Sequence, residues 1–347
     1  MAVFNHPEFD NHEQVVFCSD QETGLRAIIA VHSTRLGPAV GGCRLWNYAT
    51  DEEAIDDVLR LSRGMTYKNA MAGLPLGGGK SVIIGDAKTI KSEALFRAFG
   101  RMLHRLGGSY YSAEDVNITT GDIMQVNKET PFVAGLEGKS GNPGPFTALG
   151  TYQGIKAAAM HKFGSADLAG KTVAVQGLGS VGYGLCEYLH QEGAKLIVTD
   201  INQASVERAV AQFDAIAVGL HGIYAVDADI YAPCALGATL NDDTIALLKA
   251  KVVAGCANNQ LKQARHGEML RQRGILYAPD YVINAGGIIN VACEMRPQGY
   301  DAAESTAKVN QIYHTLLNIF QRADEEGKPT SDIADVMAQE IIARGPQ

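Results

Sequence analysis

The sequence predicts an α/β protein in two parts, a mixed N-terminal domain followed by a doubly wound parallel one. Three observations carry this. The 347 residues are about twice the roughly 150 of an average domain. Apolar residues make up 46% of the chain, ample for two cores. From residue 147 onward, helical and strand patterns alternate at the pitch of βαβ units.

The elements follow in order. Residues 27–32 form a β-rich run, and Thr50-Asp51-Glu52-Glu53 has capping-box form ahead of Ile55, Val58, Leu59, Ser62 and Met65 at helical spacing. Residues 81–84 read as a short strand, 93–106 as an amphipathic helix and 110–116 as another strand. Glycine and proline then crowd together from Gly138 to Pro145, which predicts a boundary between a domain over 1–137 and a second over 138–327. The second reads as helix 147–161, strand 171–176, helix 181–192, strand 195–199 and helix 203–213. Shorter β-like runs follow at 230–232, 252–254 and 281–284. Val309, Ile312, Tyr313, Leu316, Ile319 and Phe320 form one helical stripe. A last helix begins after Pro329, capped by Thr330 or Ser331, and the segment 328–347 is expected to return to the first domain.

Charge excludes some classes of function. Lys and Arg number 30 against 38 Asp and Glu, net −8 and without long blocks, which disfavours nucleic acid as a partner. No apolar run approaches the ~18 residues of a membrane span and no secretory signal is legible, so a cytoplasmic protein is expected. The six cysteines form no CxxC pair and have no histidine at metal spacing, so no metal is expected.

Gly177-Leu178-Gly179-Ser180-Val181-Gly182 directly follows an apolar strand and opens a helix. The first glycine of such a turn permits the tight bend, the second lets backbone approach a pyrophosphate, and the third packs helix on strand. Asp200 ends the next strand, about twenty residues on, where a carboxylate accepts the ribose hydroxyls and repels a 2′-phosphate. This is the Rossmann pattern, and it predicts NAD rather than NADP. Leu76-Gly77-Gly78-Gly79-Lys80-Ser81 ends like a phosphate loop, but Leu74 stands where that motif needs its first glycine. Three glycines would instead bring backbone and Lys80 close to a small ligand, with Lys68 upstream and Asp115 at a strand end. Two neighbouring lysines favour a neutral amine on one, able to act as a base, while the other stays a cation.

Further motifs stand in order along the chain: Pro38-Ala39-Val40-Gly41-Gly42-Cys43-Arg44, Met65-Thr66-Tyr67-Lys68, Glu114-Asp115-Val116, Ser140-Gly141-Asn142-Pro143, Ala257-Asn258-Asn259-Gln260 and Asn284-Ala285-Gly286-Gly287. With the two glycine motifs, they resemble the glutamate, leucine, phenylalanine and valine dehydrogenase superfamily, most closely its leucine dehydrogenase branch. The resemblance implies reversible oxidative deamination of an L-amino acid to a 2-oxo acid and ammonia, with hydride passing to NAD. It implies that Lys68 binds the substrate carboxylate, helped by Gly41, Gly42 and Asn259, that Lys80 activates water, and that Asp115 relays protons. Asn258 and Asn284 would meet the cofactor, and the interdomain cleft would close to exclude water. Glutamate-specific relatives carry lysine where this chain has Val40, so glutamate is expected to be rejected. Val40, Met65, Leu74, Ala113 and Val291 are the expected apolar pocket, each equally readable as core. Stretches such as Val116-Asn117-Ile118-Thr119 also look like tryptophan dehydrogenase relatives, which keeps aromatic substrates open beside leucine. The C-terminal region reads shorter than in typical leucine dehydrogenases, where it contributes to assembly, so the expected homo-oligomer is either a dimer or an octamer.

Overall fold

The computed structural model describes residues 3–136, 141–296 and 298–346, so Gly138, Lys139 and Ser140 of the expected boundary loop lie outside the described residues. The chain divides into two compact units. The first takes the residues up to Gly141, then 291–300 and 338 onward, and the second takes 142–290 and 301–337.

The first unit is a five-stranded sheet of β1 (Gln14–Asp20), β2 (Leu25–Ser33), β3 (Ala39–Trp46), β4 (Gly77–Ile84) and β5 (Tyr110–Glu114), in the order β1-β2-β4-β3-β5. β2 runs antiparallel to β1 and β4, while β3 is parallel to both β4 and β5. Its helices are α1 (Asp51–Met71), α2 (Ala87–Ile90), α3 (Glu93–His104) and α4 (Thr120–Asn127). Thr50 caps α1 by accepting from the Glu53 amide, and the Glu53 carboxylate reaches back to the amide of Ala49 at 2.9 Å, one residue earlier than in a reciprocal box. Ala54, Val58 and Leu59 of α1 pack on Ile28, Ala30 and Val82. Leu95, Phe96, Phe99 and Leu103 of α3 pack in a second cluster with Ile29, Cys43, Leu45 and Ile83. Helices therefore cover both faces of the sheet.

The second unit is an all-parallel sheet of β6 (Thr172–Gln176), β7 (Lys195–Thr199), β8 (Ile216–Ala217), β9 (Ile230–Pro233), β10 (Val252–Val253) and β11 (Leu276–Tyr277). The spatial order is β11-β10-β9-β6-β7-β8, so the winding reverses between β6 and β9, as in doubly wound nucleotide-binding sheets. Its helices are α5 (Gly144–Phe163), α6 (Ser180–Gln191), α7 (Gln203–Phe213), α8 (Asp242–Leu247), α9 (Arg265–Gln272), α10 (Asp280–Ile283), α11 (Gly286–Glu294), α12 (Ala302–Asn310), α13 (Ile312–Glu326) and α14 (Thr330–Arg344), the last crossing into the first unit at its C-terminal end. There Arg35 donates through Nε and Nη2 to the carbonyls of Ile342 and Ala343, both at 2.7 Å.

Three local expectations are corrected. Residues 281–284 are not a strand: Pro279 precedes a short helix, α10, and the strand of that region is Leu276–Tyr277. A four-residue apolar run has no periodicity by which to separate helix from strand. Thr330 is not a cap, because it is the first helical residue and its hydroxyl donates to the Tyr277 carbonyl at 2.6 Å. The strand read over 81–84 begins four residues earlier: Gly77, Gly78 and Gly79 are the first three residues of β4. A Cβ on Gly78 would lie 2.0 Å from the Thr66 amide nitrogen of α1, and one on Gly79 would lie 2.6 Å from the Tyr110 ring.

Among the described residues, no helix is long and apolar enough to cross a membrane. Because the atom facing Gly78 is backbone, Gly78→Ala is expected to cost about 3 kcal/mol of stability by forcing α1 off the sheet. A urea unfolding curve measures this, and an unchanged midpoint would show that the helix retreats freely.

Candidate active site

Lys80 is buried, 5% exposed, in the middle of the sheet of the first unit. β3 lies between β4 and β5, so the residue after β5, Asp115, is brought toward Arg44 and Lys80 on the two neighbouring strands. The Lys80 Nζ is 3.0 Å from Asp115 Oδ2, and Arg44 Nε donates to the same oxygen at 3.0 Å. Arg44 also donates through Nη1 to Asp57 Oδ2 at 2.8 Å, which accepts from the Tyr48 hydroxyl at 2.7 Å. Burial alone would push the Asp115 carboxyl up, but the charges and hydrogen bonds of Lys80 and Arg44 outweigh it and hold the group at about 2.

The glycines around this cluster are demanded by the protein itself. A Cβ on Gly42 would lie 2.6 Å from the Glu114 carbonyl oxygen and 2.7 Å from Asp115 Cβ, and one on Gly41 would lie 1.8 Å from the Gly79 carbonyl oxygen. Gly42 thus leaves the room in which Asp115 turns toward Lys80. β3 pairs with β4 at Val40 and again at Cys43, not at the two glycines between them. The Tyr110 hydroxyl donates to the Gly41 carbonyl at 2.9 Å.

The other expected substrate residues divide. Val40 is fully buried on β3, Ala113 pairs with Gly42, and Met65 Cγ would lie 3.3 Å from a Cβ on Gly41. Lys68 is on α1 one turn beyond Met65, half-buried and on the same side of the helix. Leu74 is elsewhere, lining a cavity of about 310 Å³ with Leu36, Ala70, Pro75 and Ile341. Val291 is buried and opens the stretch 291–300 of the first unit. Asn259 belongs to the second unit, where it is exposed, has φ +50° and accepts from the Ala238 amide at 2.7 Å. Arg44, Asp57 and Tyr48 had no expected role. Arg44 stands at the end of the motif that begins at Pro38, two positions after Gly42 on a strand and so on its face.

In the second unit, Gly177 ends β6 with φ +102° and Gly182 packs so closely that a Cβ would lie 2.0 Å from the Gly177 carbonyl oxygen. Leu178 is buried between them. Gly179 is the N-cap of α6 with open space beside it, and no side chain caps this helix, so the amides at Gly179, Ser180 and Val181 face an anion-ready end. Asp200 follows β7 and accepts from the Leu178 amide at 2.5 Å and the Asn202 amide at 2.7 Å. Asn284 is buried and donates to Asn258 Oδ1 at 2.7 Å, yet its own Oδ1 has no partner among the described residues. A buried amide oxygen left without a donor is costly, and a bound ligand with an N–H would satisfy it. The uncapped helix, the open Gly179, Asp200 and this oxygen together fit a dinucleotide carrying a carboxamide. Among the described residues, no group of three His, Cys, Asp or Glu is arranged to hold a metal ion.

A carboxyl held below its unfolded value stabilises the fold above about pH 4, and that stabilisation is lost as pH falls through about 2. Asp115→Asn is therefore expected to be less stable than the parent by about 2 kcal/mol at pH 6, the gap narrowing below about pH 4. Urea unfolding at pH 6 and pH 3 measures it; a gap independent of pH would contradict the ionised pair.

Residues 12–135 match the family model described as Glu/Leu/Phe/Val dehydrogenase, dimerisation domain, and residues 198–344 match that of Glutamate/Leucine/Phenylalanine/Valine dehydrogenase. The chain is 56% identical to a leucine dehydrogenase of Bacillus subtilis (strain 168), over 99% of this chain and 95% of that one. It is 48% identical to a phenylalanine dehydrogenase of Bacillus thermotolerans, over 97% of this chain and 90% of the relative. The crystal structure of L-tryptophan dehydrogenase from Nostoc punctiforme superposes with a TM-score of 0.85 at 46% identity, covering 96% of each chain. Sequence and fold agree, and the chain belongs to the glutamate, leucine, phenylalanine and valine dehydrogenase family.

Proposed function

We propose that this chain is an NAD-dependent L-amino-acid dehydrogenase for apolar substrates, with leucine and related branched-chain amino acids first. The amino acid, water and NAD are converted reversibly to the 2-oxo acid, ammonium, reduced NAD and a proton. The observation that carries the choice of leucine is the 56% identity to a leucine dehydrogenase across nearly the whole chain. Phenylalanine and tryptophan dehydrogenases at 48% identity support an aromatic substrate as the second reading.

On this reading the first unit holds the amino acid. Lys68 pairs with its α-carboxylate, and the backbone of Gly41 and Gly42 completes that site. Lys80 takes the proton of the attacking water, and Asp115, 3.0 Å away, receives and returns it as ammonia leaves. Bound NAD supplies the acceptor for the hydride that leaves Cα. Gly177, Gly179 and Gly182 with the α6 amides hold the pyrophosphate, Asp200 the adenosine ribose, and Asn258 and Asn284 the nicotinamide end. Asp200 would give up its two backbone bonds, or share them, when it accepts ribose hydroxyls. Val40, Met65 and Ala113 are the apolar wall for the side chain, and Val291 joins them; Leu74 faces the other cavity and is left out. A glutamate side chain would bury its carboxylate against Val40 with no partner. The dimerisation model over residues 12–135 supports a homo-oligomer, and the enzyme is read as cytoplasmic.

One panel of L-leucine, L-valine, L-phenylalanine, L-tryptophan and L-glutamate, read by reduced-cofactor absorbance, tests the reading. L-Leucine is expected to exceed L-glutamate in kcat/KM by about 10³-fold or more. NAD is expected to exceed NADP, with Asp200→Ala narrowing that ratio. No turnover of any apolar L-amino acid would refute the function, and a preference for NADP would refute the role of Asp200.

A further inference from the structure

We propose that Arg44 is a positioning residue of the reaction: it fixes the Asp115 carboxylate by one oxygen, so that the carboxylate stays against Lys80 with its second oxygen open for the migrating proton. The inference rests on the dehydrogenase reading above and adds a residue that reading does not use.

The geometry carries it. Asp115 Oδ2 takes both of the group's bonds, from Lys80 Nζ and Arg44 Nε at 3.0 Å each, while Oδ1 accepts none among the described residues. With Lys80 alone, rotation about the Cα–Cβ and Cβ–Cγ bonds would exchange the two oxygens and swing the carboxylate away. A guanidinium on the adjacent strand blocks that rotation, because its planar fork is directional and always charged. Arg44 is in turn held from behind. Its Nη1 bonds Asp57 Oδ2, which the Tyr48 hydroxyl also bonds, and Arg60 Nη2 is 3.3 Å from Asp57 Oδ1. The Asp57 side chain is 12% exposed and that of Arg44 22%, so this brace is shielded from water and from salt. Gly42, two residues before Arg44, supplies the space beside Asp115 Cβ that the arrangement needs. The chain thus runs Tyr48, Asp57, Arg44, Asp115, Lys80, with alternating charge along its last four members.

The test uses the full-length enzyme with L-leucine and NAD. Arg44→Gln is expected to lower kcat by about 100-fold, the scale of a displaced catalytic group, with KM for leucine and Kd for NAD within about twofold. The solvent deuterium isotope effect on kcat is expected to rise, because proton transfer through Asp115 becomes slower than the other steps. Arg44→Lys, which keeps the charge and loses the fork, is expected to recover about tenfold of the loss. Asp57→Asn leaves the Arg44 to Asp115 bond in place but loosens its support, so a smaller fall in kcat with the same rise in isotope effect is expected. A folded Arg44→Gln enzyme with the parent's kcat and isotope effect would overturn the proposal, as would a loss that falls on KM instead. If Arg44→Gln does not fold, Asp57→Asn decides alone, and an unchanged kcat and isotope effect in it overturns the proposal. A parent enzyme that turns over no apolar L-amino acid instead refutes the function, and the role of Arg44 falls with it.

Discussion

Everything in the first unit that bears on chemistry depends on one carboxylate oxygen, Asp115 Oδ2, being shared between Lys80 and Arg44. A buried lysine and a half-buried arginine are costly to remove from water, and an ion pair offsets that cost only with good geometry. The geometry comes from strand order. β4, β3 and β5 are neighbours, so Lys80, Arg44 and the residue after β5 converge although 71 positions separate Arg44 from Asp115. Close strand and helix packing then requires glycine at 41, 42, 78 and 79, because a Cβ at any of them would overlap backbone or a core ring. The glycines are the steric condition of the charge cluster.

The second unit solves a different problem by a different device. Its all-parallel sheet reverses winding between β6 and β9, and the turn after β6 lies at that reversal. Gly177 takes a left-handed φ and Gly182 admits the close approach of α6, which leaves the amides at the start of that helix without a side-chain cap. The carboxylate of Asp200 already ties the turn to the end of β7 through the Leu178 amide. Here glycine serves helix packing and anion approach together, whereas Gly41, Gly42, Gly78 and Gly79 of the first unit each face protein atoms that a Cβ would overlap.

The sequence was most legible where local rules act alone. The helix beginning at Asp51, the GxGxxG turn and the alternation of β6, α6, β7 and α7 are set by caps, turn glycines and periodicity within about twenty residues. Legibility failed where a segment is too short for periodicity, as at α10, or where long-range pairing decides, as when Gly77 to Gly79 continue a strand between β2 and β3. Lys80 and Asp115 were legible as candidates from glycine context and family resemblance, but their pairing distance was not. Arg44 was visible inside a motif and silent about its role, because its partner is set by strand order and not by sequence separation. Leu74 shows the converse, an apolar residue close in sequence to the site whose side chain lines a cavity with Ile341 instead.

The central claim is that the resting Asp115 carboxyl is held ionised by its contacts with Lys80 and Arg44. Carbon-13 labelling of aspartate side-chain carboxyls, with the Asp115 signal assigned by its loss in Asp115→Asn, measures this directly in a pH titration. The expected result is a signal that stays at its ionised position from pH 7 down to pH 4, in keeping with a value of about 2. A midpoint at or above the ordinary aspartate value of about 3.9 would contradict the clamp.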